Sequence, residues 1–182
     1  MFFSFWLVFF SHAEEVRSFV WNGPKVVTSQ FSSKLGMMNT ERNEYATNLA
    51  ALAVNRVVEG KASAASLEEA RRMIALALQL SPRNKRAVVA NFQLGKGIVP
   101  EKVEENYGRV SFSRLLLMRA QLLEKDATEE NVRLARLFVN LAAALDSRNE
   151  DAVYASELHR LDHGEVDWSG VMVGAEGAES GR

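Results

Sequence analysis

The chain has 182 residues, of which 47% are hydrophobic and 25% are charged, and its formal net charge is −1. This composition is that of a folded globular protein, and the near-zero net charge gives no overall attraction to nucleic acid. The chain contains no cysteine, which excludes disulfides and thiolate chemistry. Because the net charge is close to zero, we expect no nucleic-acid partner.

The chain opens with an apolar run from Phe2 to Phe10, followed by Ser11, His12 and Ala13. Small residues at positions 11 and 13 suit a signal-peptidase site. The run is shorter than the roughly 20 apolar residues that cross a bilayer as a helix. We interpret residues 1–13 as a signal peptide, which predicts an exported protein, periplasmic or secreted, with no stable membrane span once the signal is cleaved. No basic residue precedes the run, so the alternative is an ordinary buried segment or a misread terminus, in which case the protein is cytoplasmic.

Residues 14–38 lack a sustained period and predict an irregular or extended leader. Helical spacing of apolar residues begins near Asn39 and ends at Gly60. A second helix is predicted to start at Ser66, with Glu69 completing a capping box, and to end near residue 80. A third helix is expected between an Asn84 cap and Gly95.

The second half of the chain repeats this order of elements. Residues 97–108 form a connector, in which Pro100 is placed to open a short helix. Three further helices are then predicted: Phe112 to Lys125, a Thr128-capped helix through Leu145, and an Asn149-capped helix that ends near Gly164. Residues 165–182 form the last segment, with a strand-like alternation at Val166, Trp168, Val171 and Val173 before a flexible tail.

A repeat with an offset of 65 residues relates the two halves. Residues 70–90 and 135–155 share identical residues at ten positions, which are Ala70/Ala135, Arg71/Arg136, Leu76/Leu141, Ala77/Ala142, Leu80/Leu145, Arg83/Arg148, Asn84/Asn149, Ala87/Ala152, Val88/Val153 and Ala90/Ala155. In both copies the repeated helix carries two apolar stripes, so we expect it to pack between neighbouring helices. The repeat indicates an all-α fold of two related units, each of about 65 residues.

The first copy resembles the tetratricopeptide repeat, a helical hairpin with a spaced signature that ends in Leu-x-Pro-x-Asn. The matching residues are Ala70, Ile74, Ala77, Leu78, Leu80, Pro82 and Asn84. The second copy matches at Ala135, Val139, Ala142 and Leu145, but Ser147 stands where the proline would be. The 65-residue offset also exceeds the family's 34-residue period. The resemblance implies stacked helical hairpins, an α-solenoid, over residues 39–164.

Such arrays bind peptides or proteins in a concave groove, so the resemblance implies a protein or peptide partner and no reaction. Polar positions on the first helix of each hairpin are the candidate groove residues, Asn48 and Asn55 in one unit and Arg114 and Gln121 in the other. We interpret a basic cluster in the first unit as a solvated and partly salt-bridged face; it consists of Arg71, Arg72, Arg83, Lys85 and Arg86. Repeat edges without polar caps often self-associate, so the oligomeric state is left open.

We find no catalytic signature, expect no enzyme activity and expect no cofactor. His159 and His163 are spaced to share a helix face and are weak candidates for a metal site, although helix-terminal histidines also interact favourably with the helix dipole. The sequence favours a noncatalytic interaction or scaffold module of an exported or envelope-associated complex. Two alternatives stay open: an accessory N-terminal region of a longer secreted enzyme, and a cytoplasmic helical-repeat scaffold.

Overall fold

The computed structural model of the chain describes residues 19–174, so the predicted signal peptide and the final tail lie outside the described residues. Within residues 19–174 the all-α fold class is confirmed, because an isolated bridge between Lys25 and Val173 is the only β pairing. The helices are α1 (Asn39–Glu59), α2 (Ala64–Leu80), α3 (Lys85–Gly95), α4 (Arg109–Lys125), α5 (Glu129–Leu145) and α6 (Glu150–His163), followed by a short 3₁₀ helix (Gly170–Met172).

Side-chain caps fix the starts of α3, α5 and α6 at the positions that the sequence predicts. Asn84, Thr128 and Asn149 each accept a hydrogen bond from the backbone amide three residues ahead. Such a cap satisfies one of the otherwise unpaired amides of the first helical turn and contributes about 1 kcal/mol to stability. Local chemistry is therefore sufficient to place these three boundaries.

The predicted capping box at the start of α2 is wrong. Ser63 caps this helix, accepting a hydrogen bond from the amide of Ser66, so the helix begins before Ser66. The carboxylate of Glu69 instead accepts two hydrogen bonds from the Arg56 guanidinium, at 2.5 and 2.9 Å. Because this pair joins α1 to α2, the glutamate stabilises the hairpin rather than the helix terminus.

Each unit of the repeat contains three helices. In the first unit α1 and α2 form a hairpin on which α3 packs, mainly against α1, and in the second unit α4 and α5 form a hairpin on which α6 packs, mainly against α5. The helices α2 and α5 begin at residues 64 and 129, and α3 and α6 begin at residues 85 and 150, which is 65 positions apart in both cases. The sequence repeat therefore extends through the third helix of each unit.

The cap residue of each third helix also attaches it to the first helix of its unit. The amide nitrogen of Asn84 donates to the hydroxyl of Thr47 on α1 at 2.8 Å. In the second unit Asn149 donates to the hydroxyl of Ser113 on α4 at 3.1 Å. One asparagine thus both starts the helix and fixes its position, which is a physical reason for its presence in both copies.

The first helices of the two units run in opposite directions. Near the start of α1, Glu41 forms an ion pair of 2.8 Å with Arg119, which lies near the end of α4. Near the end of α1, Asn55 donates a hydrogen bond of 2.7 Å to Glu105, which lies just before the start of α4. These contacts require α1 and α4 to be antiparallel.

The second helices also run in opposite directions. At the end of α2 the Gln79 side chain accepts a hydrogen bond from the backbone amide of Gln30. The side chain of Gln30 in turn accepts a hydrogen bond from Arg133, which lies near the start of α5. At the end of α5, Leu145 lines a small cavity together with Glu69 and Met73 from the first half and middle of α2. In a solenoid, successive repeats are related by a small rotation and equivalent helices point the same way. The predicted solenoid stacking is therefore not confirmed, and α1, α2, α4 and α5 form a four-helix core with antiparallel neighbours.

The centre of this core is aromatic where the two units meet. The Tyr45 ring lies 5.4 Å from that of Phe112 and 5.7 Å from that of Phe138, measured between ring centroids. Both phenylalanines are fully buried, as is Leu76 on the repeated helix, and its counterpart Leu141 is nearly so. The repeated helix does pack between neighbours, as its two apolar stripes predict.

The predicted strand after α6 is wrong. Residues 170–172 form a 3₁₀ helix, and Val173 alone pairs with Lys25. The buried Gln79 side chain donates to the carbonyls of Val171 and Val173, at 3.0 and 2.8 Å. An amide side chain on α2 thus satisfies backbone groups that a partner strand would satisfy in a sheet.

Candidate interaction surface

Two of the predicted groove residues, Asn48 and Asn55, are buried beneath the connector that joins the two units. Asn48 exchanges two hydrogen bonds with the backbone of Tyr107, at 3.0 and 2.8 Å. Asn55 does the same with the backbone of Val103, at 2.8 and 2.9 Å. These amides do bind non-helical backbone, but the backbone belongs to the same chain. The short helix predicted at Pro100 is absent, and residues 97–108 contain no helix.

The other two predicted groove residues lie apart from this pair. Arg114 and Gln121 are exposed on the outer face of α4. Because Asn48 and Asn55 are covered by the connector, the four residues do not line one groove. The structure brings together only the pair on α1.

His159 and His163 lie near each other at the end of α6, with ring centroids 6.3 Å apart. The Nε2 atom of His159 lies 3.0 Å from a carboxylate oxygen of Glu124, which connects α6 to α4. Among residues 19–174, no cluster of three or more histidine, cysteine or acidic side chains is arranged to hold a metal ion. The contact with Glu124 indicates that His159 helps to hold α6 against α4.

A groove of about 660 Å³ opens between α1 and the beginning of α3. Its apolar lining comes from Val54 on α1, Val89 and Ala90 on α3, and Val103 in the connector. Asn84 lies in the wall and holds α3 against α1 through the hydrogen bonds described above. The groove is therefore built on two helices whose relative position is fixed by buried polar contacts.

Positive charge is concentrated at one end of this groove, where Arg83, Lys85 and Arg86 line it and no acidic side chain of the described part of the chain does. Across the described range, none of the three forms an ion pair. Arg86 donates one hydrogen bond of 3.1 Å, to the backbone carbonyl of Glu104. The basic cluster predicted from the sequence therefore consists of two parts. Arg71 and Arg72 both pair with Glu68 on α2, whereas the other three residues line the groove.

These cations occupy an electrostatically unfavourable place. Lys85 and Arg86 lie in the first turn of α3, which contains no acidic residue. The N-terminus of a helix carries partial positive charge, and a cation there typically costs about 0.3–1 kcal/mol. The same features make this end of the groove attractive to a negatively charged group.

Exposed apolar side chains extend the groove along α3. Val88, Val89 and Phe92 are 44–63% exposed. A surface that combines a concave apolar region with charge of one sign has the features of a binding site. We define the α3 face as this groove together with Val88 and Phe92.

The corresponding helix of the second unit has the opposite charge. Glu150 and Asp151 stand at the positions equivalent to Lys85 and Arg86, and both are exposed. Farther along α6, Tyr154, Leu158 and Leu161 are 39–70% exposed. We define the α6 face as these five residues of α6.

Comparison of the chain with protein-family models, with curated proteins and with solved structures finds no match. No described helix combines the length and the apolar character needed to cross a membrane.

Sequence reasoning missed the α3 face because it compared the two copies for identity. The informative signal is a difference, since Lys85 and Arg86 in one copy become Glu150 and Asp151 in the other. This difference stands within a region whose caps and buried residues are retained. A position-by-position comparison of charge would have found it.

Proposed function

We propose that the protein is a noncatalytic interaction module that binds a protein or peptide segment in the groove between α1 and α3. The observation that carries this proposal is a concave surface that combines exposed apolar side chains with three cations, none of which forms an ion pair with another residue between 19 and 174. An occupant with acidic residues beside apolar ones would complement both parts of this surface.

The arrangement of the residues that line the groove favours a helical segment as its occupant. Two helices line it, and its apolar residues Val89 and Ala90 lie on α3 after the basic residues at the helix start. An amphipathic helix docks in such a groove through side chains that recur every three or four residues. The charged end would orient the incoming segment, and the apolar contacts would supply most of the affinity.

We further propose that this module works in an exported or envelope-associated complex. The support is the apolar run from Phe2 to Phe10 with small residues at Ser11 and Ala13. Amino-terminal sequencing of the chain recovered from its native cell tests this part. A mature chain beginning at Glu14 supports export, and an intact N-terminus recovered from the cytoplasm contradicts it.

The binding function is tested by selecting peptides from a random display library on the full chain. We expect the selected peptides to carry acidic residues beside apolar residues spaced three or four apart. The double variant Lys85→Glu/Arg86→Glu should bind them at least about tenfold more weakly, because two attractive contacts become repulsive.

The matched control is Lys34→Glu/Lys61→Glu, which changes the net charge equally at two exposed positions outside the groove. This control should bind the selected peptides as the parent chain does. Equal binding by the parent chain and the groove variant would contradict the proposal, as would a library selection that enriches no peptide.

A further inference from the structure

The third helices of the two units differ in charge far more than in structure. The segment that forms α3 carries two basic residues and no acidic one. The segment that forms α6 carries four acidic residues and one arginine. The two helices start at equivalent positions, are capped by equivalent asparagines, and each packs on the hairpin of its own unit. The common architecture therefore does not require the charge difference.

The charges of α6 are placed to meet those of α3. Glu150 and Asp151 lie in the first turn of α6, as Lys85 and Arg86 lie in the first turn of α3. When the two helices lie side by side and parallel, the acidic turn of one meets the basic turn of the other. This arrangement would also supply the carboxylates that the cations of the groove lack within residues 19–174.

The apolar residues of the α6 face match the groove in a second way. Tyr154, Leu158 and Leu161 are spaced i, i+4 and i+7, which places them along one side of the helix. This is the pattern by which an amphipathic helix docks in an apolar groove. In the parallel alignment, these residues lie beyond the acidic turn, as Val89 and Phe92 lie beyond the basic turn of α3.

We propose that the groove binds a second copy of this chain, with the α6 face of one copy docked on the α3 face of the next. This proposal rests on the function proposed above, because it names the occupant of the same groove. Within one copy, α3 packs on α1 and α2, whereas α6 packs on α5 and α4. Each helix is thus held on its own unit, and the contact forms between molecules.

A contact between two different faces leaves one free face of each kind at the ends of every assembly. Such a head-to-tail contact adds further copies unless the rotation between copies closes a ring. We therefore expect association that increases with protein concentration and gives species larger than a dimer. Because the contact includes exposed charges, raising the salt concentration should weaken it.

The test is sedimentation velocity of the full chain and of two charge-reversal variants at low and high salt. Lys85→Glu/Arg86→Glu makes both faces acidic, and Glu150→Lys/Asp151→Lys makes both faces basic. Each variant alone should associate at least about tenfold more weakly than the parent chain. All four substitutions are at exposed or partly exposed positions, and circular dichroism with a thermal melt verifies that each variant is folded.

Mixing the two variants provides the decisive measurement. The acidic α6 face of the first fits the basic α3 face of the second, and the acidic α3 face of the first meets the basic α6 face of the second with the charges exchanged, whereas two copies of the same variant repel each other. The mixture should therefore regain concentration-dependent association, with the two variants alternating in the assembly. A single chain carrying all four substitutions exchanges the charges of the two faces and should regain concentration-dependent association.

Three results would overturn the proposal. The parent chain could sediment as a monomer at all concentrations, the two variants could associate as strongly as the parent, or their mixture could contain no complex. Selected acidic peptides that still bind the groove of a strictly monomeric chain would retain the proposed function and reject self-association. Loss of both peptide binding and self-association would reject both.

Discussion

Tyr45 stacks on Phe138 with ring centroids 5.7 Å apart and ring planes inclined by 25°. The two rings come from different units, since Tyr45 lies on α1 and Phe138 lies on α5. Burial, assisted by the neighbouring Glu41 carboxylate, raises the pKa of Tyr45 to about 12. The ionisation of one phenol is thereby coupled to the packing of the two units.

Alkaline unfolding should depend on Tyr45. A tyrosine with a folded-state pKa above its unfolded value stabilises the fold below about pH 10, and this contribution is lost as the pH rises towards 12 because the unfolded chain ionises first. The parent chain should lose about 2 kcal/mol of unfolding free energy from this group between pH 10 and 12. Tyr45→Phe cannot ionise and should lack that part of the loss.

Urea denaturation of both proteins across this pH range measures the difference. Other groups titrate in the same range, so the result is read from the gap between the two proteins rather than from either alone. A gap that stays constant from pH 10 to 12 would contradict a raised pKa at Tyr45.

The buried asparagines on α1 should stabilise the connector. In Asn48→Ala or Asn55→Ala, the backbone amide and carbonyl of Tyr107 or Val103 lose their side-chain partner. Each substitution should lower the unfolding free energy by about 1–3 kcal/mol. The amide hydrogen of the released connector residue should also exchange faster with solvent.

The exposed connector residue Asn106 provides the control, and Asn106→Ala should change stability by less than about 0.5 kcal/mol. Hydrogen exchange followed by NMR measures the two connector amides directly. Undiminished protection of the Val103 amide in Asn55→Ala would show that the hydrogen bond is not what protects it.

The equivalent leucines of the two units should both contribute to the core. Leu76 is fully buried and Leu141 is 5% exposed, so replacement of either by alanine removes buried methyl groups and leaves a cavity. We expect a loss of about 2–4 kcal/mol in each case. Leu122→Ala, at a side chain that is half exposed, should cost much less. Similar denaturation midpoints for all three variants would reject the two-stripe packing of the repeated helix.

Gln79 should hold the two ends of the described chain together. Its side chain binds Gln30, Val171 and Val173, and the backbone amides of Lys25 and Gly174 form hydrogen bonds nearby. Gln79→Leu keeps a similar volume but removes these bonds, and should cost about 1–3 kcal/mol.

The Gln79 substitution should also release the Lys25 and Gly174 amides, so their exchange rates should increase while the centre of α2 stays protected. The exposed Gln121→Leu provides the comparison. Equal exchange rates at Lys25 in the two variants would mean that the terminal segments are held by other contacts.

The features that could be predicted from the sequence are those decided within one helical turn. Asn84 and Asn149 are caps in the structure because an asparagine before a helix satisfies a nearby amide in any fold. The observed cap of α2, Ser63, lies three residues before the predicted cap, Ser66, because a serine at either position can cap a helix and Glu69 pairs with Arg56 instead of completing a capping box.

Contacts between residues that are far apart in the chain are harder to predict from the sequence. Helical spacing correctly places Asn48 and Asn55 on one side of α1, but the sequence does not reveal that the connector returns to cover that side. The alternation from Val166 to Val173 resembles a strand, yet Val173 pairs only with Lys25, at an isolated bridge. The opposed directions of α1 and α4 depend on contacts such as the Glu41–Arg119 pair, which no local pattern predicts.

Opposed packing of two equal units is also the geometry of a homodimer with a two-fold axis, here joined into one polypeptide by the connector. In a true homodimer every outer helix would be present twice with the same residues, so both ends of the molecule would be alike. Covalent joining removes that requirement, because each half is encoded separately. Lysine and arginine at positions 85 and 86, against glutamate and aspartate at positions 150 and 151, break the symmetry and give the molecule a direction.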